Sequence, residues 1–180
     1  DFKEELGFSP LTGEIVAIGV LDVEKNKGAV YAQAPGAEIA KWSNETFSFQ
    51  PMSEPEMIQK FWDGAKEYQE FITFNGRAFD APFILARGAK HKIRPTKDLM
   101  SNRYLGSQYG AKHIDLLDQL SFYGAVRKKG SLHLWCQLLG IKSPKAEGVS
   151  GDDVAGLFRG GEYKKIAEYN SLDLAATREL

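Results

Sequence analysis

Phe71-Ile-Thr-Phe-Asn-Gly-Arg-Ala-Phe-Asp-Ala-Pro-Phe-Ile84 is the stretch on which the fold turns. Its first four residues are aromatic and β-branched and read as a short buried strand, closed by the turn-forming pair Asn75-Gly76. Asp80 is then expected to cap a helix over residues 81–87, with Pro82 tolerated in the first turn and Gly88 as the stop. A strand that runs straight into a helix is the building unit of an α/β domain.

Working outward, Glu14-Ile-Val-Ala-Ile-Gly-Val-Leu21 is an almost unbroken apolar run and reads as a strand buried on both faces. Asn26-Lys27-Gly28 is the expected turn, with residues 29–33 returning as the second strand of a hairpin. Residues 45–50 alternate Phe47 and Phe49 with polar neighbours, the pattern of a half-buried strand. Ser53-Glu-Pro-Glu56 has the spacing of a capping box, and Met57, Ile58, Phe61, Trp62, Ala65 and Tyr68 follow on one helical face. Downstream, residues 91–110 are irregular, and His113-Ile-Asp115 ends a strand that leads into a helix over 116–123. Ser131 caps residues 132–139, Ser150 to Asp153 cap a shorter helix, and a last helix runs from about residue 162 to the end. The order predicts an α/β fold with a mixed sheet.

The chain has 180 residues, the size of one domain, and residues 1–180 are read as a single unit. With 43% apolar and 26% charged residues it can bury a core without staples, which excludes a disordered chain. A single cysteine, Cys136, excludes a disulfide scaffold or zinc ribbon and suits the cytoplasm; on its apolar segment it reads as core. No apolar run approaches a membrane span, and no signal-peptide pattern opens the chain. The net charge of −1 disfavours a protein that coats duplexes. No Gly-x-Ser-x-Gly elbow or phosphate-cradling glycine loop occurs.

Two places carry carboxylates in a suggestive setting. Tyr169 and Asp173 are four apart on the last helix and share a face; Asp80 stands at a strand–helix junction. Each alone is compatible with a surface or capping role. A basic stretch from Arg87 to Arg103, followed by Tyr104 and Tyr109, is a candidate track for a single strand, and Arg127-Lys-Lys129 is a second; solvated loops are the plainer alternative. His113 and Asp115 are assigned to opposite strand faces, which argues against a His–Asp pair, and His91 and His133 have no partner at metal-ligand spacing.

Together, Phe74-Asn-Gly-Arg-Ala-Phe-Asp-Ala-Pro-Phe-Ile84, His113-Ile-Asp-Leu116 and Ile166-Ala-Glu-Tyr-Asn-Ser-Leu-Asp173 resemble the motifs of DEDD-type 3′–5′ exonucleases. The nearest likeness is to predicted exonucleases related to the exonuclease domain of family-B DNA polymerases, and Leu11-Thr-Gly-Glu-Ile-Val-Ala-Ile-Gly19 is similar to that family's second strand. The resemblance spans nearly the whole chain. It implies a ribonuclease-H-like mixed sheet flanked by helices and metal-dependent removal of nucleotides from the 3′ end of single-stranded DNA, with RNA as the nearest variant. It implies two Mg²⁺ or Mn²⁺ ions about 4 Å apart, with Asp80 and Asp173 as ligands, Asp80 acting through a metal-bound water. Tyr169 would orient the attacking water, and Asn75, Phe79 and Arg77 would meet the nucleic acid. Glu168 stands where the histidine branch has its histidine, so the likeness is to the tyrosine, or DEDDy, branch.

One departure is large. The family's first motif, Asp-x-Glu on a central strand, belongs upstream of Leu11, and Asp1-Phe-Lys-Glu4 has the wrong spacing for it. The central strand is therefore expected to be missing from the chain, leaving an unpaired slot in the sheet. Either the sequence begins late, or the motif lies in a stretch not shown, or the protein is degenerate; the retained Asp80, Tyr169 and Asp173 favour the first two. The alternative function is an inactive ribonuclease-H-like module that binds nucleic acid or a partner protein.

Overall fold

Ala17–Asp22 (β1) and Lys27–Ala32 (β2) pair antiparallel from Ala17 opposite Ala32 to Asp22 opposite Lys27. In this computed structural model, which describes residues 6–180, the turn occupies residues 23–26. It therefore lies earlier than Asn26-Lys27-Gly28, because the Asp22 carboxylate accepts the Lys25 amide at 2.9 Å and Asn26 closes the loop with φ 50°. Phe47–Pro51 (β4) runs parallel to β2, and the short Trp42–Ser43 (β3) adds an antiparallel edge.

Glu54–Ala65 (α1) starts as its sequence predicts, with the Ser53 amide donating to the Glu56 carboxylate at 2.8 Å. Met57, Ile58, Trp62 and Ala65 are buried on its inner face. Tyr68 lies past the helix end, and its hydroxyl donates to Asp22 at 2.9 Å. Glu70–Thr73 (β5) and Lys112–Asp115 (β6) form a separate parallel pair joined by Asp80–Lys90 (α2). Gly88 does not stop that helix. It is buried inside it, and a β-carbon added there would lie 3.3 Å from the Ile93 carbonyl.

The sheets have the orders β1-β2-β4-β3 and β5-β6, so among the described residues β1 and β5 each keep an unpaired edge. Tyr68, just before β5, reaches the end of β1, and Phe71 of β5 packs into the same core as Ile18 and Val20 of β1. The division of the sheet thus falls between β1 and β5. Ile72 in β5 is 47% exposed, unusual for a parallel strand, whose two faces are normally covered.

Alternate residues of β2 feed opposite layers. Tyr31 joins the core under α1 and α2, whereas Val30 and Ala32 meet Phe47, Phe49 and Ala167 under Tyr163–Glu179, the last helix. Between these lie Leu116–Leu120 (α3), Leu132–Leu139 (α4) and Val154–Arg159 (α5), which makes the last helix α6. Strands of mixed direction with helices packed on both sides agree with the ribonuclease-H-like expectation. None of the described helices is long and apolar enough to cross a membrane.

Candidate active site

The loop after β5 is shaped by backbone demands. Asn75 takes φ 63°, and a β-carbon on Gly76 would sit 2.2 Å from the Thr73 hydroxyl oxygen, so only glycine fits there. The amides of Ala78 and Phe79 then turn back onto the Asn75 carbonyl at 3.2 and 3.1 Å. Asp115, at the end of the neighbouring strand, locks this loop. Its carboxylate accepts the amides of Asn75 (2.8 Å), Arg77 (3.0 Å) and Leu117 (3.0 Å), and so also caps α3.

His113 and Asp115 are both buried on one strand face, which overturns their assignment to opposite faces: a two-residue period returns the side chain to the same side. They still form no pair. The His113 ring bonds the Thr73 hydroxyl and the Leu99 carbonyl, each at 2.8 Å, while Asp115 is occupied by amides. Asp115 is a positioning residue that sequence reasoning passed over. Its signal was an aspartate at a strand end, immediately before a helix.

Asp80 is the first residue of α2, and Phe79 holds the cap position without a side-chain bond. The expected capping role is therefore corrected, and the Asp80 carboxylate is left for other work. Asp80 is exposed by accessible area, but protein packed around its carboxylate displaces part of the water that would stabilise the charge. That enclosure, with the negative charge of Asp115, outweighs the bond from its own amide and pushes the carboxyl up to about 6.

The last helix brings the other acidic group. Gly19 in β1 allows α6 to lie close, with Asn170 and Leu174 filling the space a β-carbon would need. Ile166 and Ala167 anchor the helix to the sheet, and Tyr169 and Asp173 project together from the adjoining face. Burial raises Asp173 to about 7; the Tyr169 hydroxyl donates to it and pulls it down, and the charge of Asp80 pushes it up again. Burial, with the Asp173 charge and hydrogen bond, holds the Tyr169 hydroxyl protonated, up to about 12. The charge of Asp80 thus opposes ionisation of Asp173, a repulsion that a cation between them would relieve. Hard carboxylate oxygens suit Mg²⁺ or Mn²⁺. Among the described residues no group of three or more His, Cys, Asp or Glu gathers at metal-holding distance. Asp1-Phe-Lys-Glu4 lies outside the described residues.

Asn75 and Phe79 border this loop, and the Phe79 ring leans on Phe83 with centroids 5.3 Å apart. Arg77 acts as a brace: its Nη2 donates to the Ser101 carbonyl at 2.8 Å and its Nη1 to the Leu99 carbonyl at 3.4 Å. The basic track from Arg87 to Arg103 does not exist as one surface. Arg87 is buried in a bidentate pair with Glu54, both bonds 2.7 Å, and Arg103 pairs with Asp118 at 2.8 Å. Lys90, Lys92 and Arg94 remain exposed, as do Arg127, Lys128 and Lys129.

A family described as the predicted 3′-5′ exonuclease related to the exonuclease domain of PolB matches residues 13–178. The chain belongs to this family. It is also similar to DNA polymerase 1 of Sulfurisphaera ohwakuensis, with 29% identity over 147 residues, 76% of this chain and 15% of that protein. A DNA polymerase of Thermococcus litoralis is 26% identical over 190 aligned positions, covering 93% of this chain and 10% of the polymerase. The chain therefore spans only 10–15% of the length of these curated relatives.

Proposed function

We propose that the chain acts as a metal-dependent 3′–5′ exonuclease that removes nucleotides from the 3′ end of single-stranded DNA by two-metal-ion hydrolysis. What supports the reading is electrostatic: the charge of Asp80 acts on Asp173, distant in sequence, beside the Tyr169 hydroxyl. Asp80 and Asp173 would hold the divalent ions together with an Asp-x-Glu pair on a further strand, for which the free edges of β1 and β5 offer pairing partners. Such ions, when bound, activate water and stabilise the leaving 3′ oxygen. Tyr169, kept protonated, orients the attacking water with a hydroxyl whose partner is Asp173. Asn75 and Phe79 line the path of the terminal nucleotide, and Arg77 holds residues 99–101 beside that path.

A second reading has its own support. The absence of a third ligand among the described residues favours a ribonuclease-H-like module that binds nucleic acid without cutting it. The test is digestion of 5′-labelled single-stranded DNA and RNA by the longest natural form of the chain, in Mg²⁺, in Mn²⁺ and in chelator. A metal-dependent ladder shortening from the 3′ end, abolished by Asp173→Asn, is the expected result. A folded protein that leaves both strands intact would replace the exonuclease with the binding module.

A further inference from the structure

Ser121 ends α3, and Phe122 (φ 52°) and Tyr123 (φ 54°) then both adopt left-handed backbone before Gly124 (φ 93°). Side chains bearing a β-carbon resist this region, aromatic ones included, and two in succession are uncommon. The strain is not repaid by core packing, since Phe122 is 71% exposed. Such a conformation at a surface aromatic points to function rather than stability.

The neighbourhood supplies the function. Tyr104, 54% exposed, meets Tyr123 with ring centroids 4.8 Å apart, and Gln119 fixes the Tyr123 hydroxyl at 2.8 Å. Arg103 lies over the Tyr123 ring, 5.7 Å from its centroid, with its guanidinium pinned by Asp118. Lys129 stands near enough for its charge to act on Asp118, and the Trp135 indole holds the Lys129 carbonyl at 2.7 Å. Exposed Tyr104 and Phe122 rings on either side of the half-buried Tyr123, with the paired Arg103 and the nearby Lys129, match the two parts of an unpaired nucleotide, a flat base and a phosphate.

The position is also right. Asp118 follows Asp115, which locks the loop leading to Asp80, and Arg77 of that loop holds Ser101, two residues before Arg103. The aromatic group is thus linked through Ser101 and Asp118 to the loop that follows the carboxyl end of β5, and the carboxyl ends of parallel strands are where α/β sheets place their ligands. We propose that Tyr104, Phe122 and Tyr123 form a stacking platform for an unpaired base, with Arg103 and Lys129 beside it for the phosphates. The proposal rests on the exonuclease reading and adds to it the route of the strand away from its 3′ end. Because every base has a π-face, the platform tolerates any sequence.

The decisive experiment measures anisotropy of a labelled single-stranded DNA 12-mer in chelator, with one abasic site moved along it. Phe122→Gly removes the ring and accepts the left-handed backbone, so the variant should melt no lower than wild type. Tyr104→Ala gives an independent check at an exposed ring. Wild type should bind about tenfold more weakly when the abasic site reaches the platform. Phe122→Gly should bind the intact 12-mer about that weakly and be indifferent to the same abasic site. Equal binding of the intact 12-mer by wild type and both variants, or no binding by wild type, would overturn the platform. A 3′ ladder with no such effect would retire the platform and keep the exonuclease. Stacking with no cleavage in any metal would do the reverse.

Discussion

Replacing Glu54 by glutamine should destabilise the protein strongly while leaving every proposed active-site side chain in place. Glu54 is buried to 5% exposure where α1, α2 and the entry to β1 meet. It accepts both Arg87 bonds at 2.7 Å, the Ile15 amide at 2.8 Å and the His91 ring at 2.7 Å. Burial alone would raise its carboxyl, but Arg87, then Ile15 and His91, override that and hold it at about 2. In Glu54→Gln the new side chain would turn an amide donor toward the Arg87 guanidinium and strand a buried cation, a loss of about 4 kcal/mol. For a domain of this size that is a fall of roughly 10 °C in Tm. The pH dependence has a definite sign. A carboxyl lowered from 4.5 to about 2 stabilises the fold above 4.5, and this contribution, roughly 3 kcal/mol, is lost as pH falls toward 2. Urea unfolding at pH 7 and at steps down to pH 2 measures both effects. The gap between wild type and Glu54→Gln should be widest at pH 7 and narrow below pH 5. A gap under about 1 kcal/mol at pH 7, or one that persists unchanged in acid, would show that the ion pair does not organise this junction.

The remaining predictions concern the site. Asp173→Asn should lower cleavage by orders of magnitude. In chelator at pH 8 it should melt no lower than wild type, because a carboxyl raised from 3.8 to about 7 costs the fold stability as pH rises from about 4 to 7, a cost complete at pH 8, and asparagine cannot ionise. A variant clearly less stable than wild type at pH 8 would contradict this. Tyr169→Phe should reduce kcat more than metal affinity, since only the hydroxyl is lost; steady-state kinetics at saturating metal separates the two, and an unchanged kcat would move water orientation to another group. Asp115→Asn replaces one amide acceptor by a donor in a three-amide lock, so denaturation should show a loss of about 2 kcal/mol together with slower cleavage. Full activity at reduced stability would mean that the loop holds its shape without it.

Much of the fold could be read from local pattern because it is locally determined. The Ser53–Glu56 box, the inner face of α1 and the Ser131 to Gly140 helix follow from contacts within a few residues, and sequence displays those. The Tyr169–Asp173 pair was legible for the same reason, being one helical turn. Long-range partners were not. Arg87 looked like part of a basic surface because Glu54, its partner, lies 33 residues away and no charge pattern marks the match. Asp80 resembled a cap, and only the three-dimensional loop shows Phe79 in that position. The left-handed Phe122 and Tyr123 carry no sequence signal beyond Gly124, since neither residue favours that conformation. The shared face of His113 and Asp115 is a different case, since the two-residue period of a strand by itself returns both side chains to one side.

The most direct measurement titrates Mn²⁺ into wild type, Asp80→Asn and Asp173→Asn and follows free Mn²⁺ by electron paramagnetic resonance. If the two carboxylates share a cation site, wild type binds Mn²⁺ and each variant, folded by circular dichroism, binds it markedly more weakly. Equal binding by all three, or no binding by wild type while a metal-dependent 3′ ladder is still produced, would place the metal elsewhere and remove Asp80 and Asp173 from the chemistry.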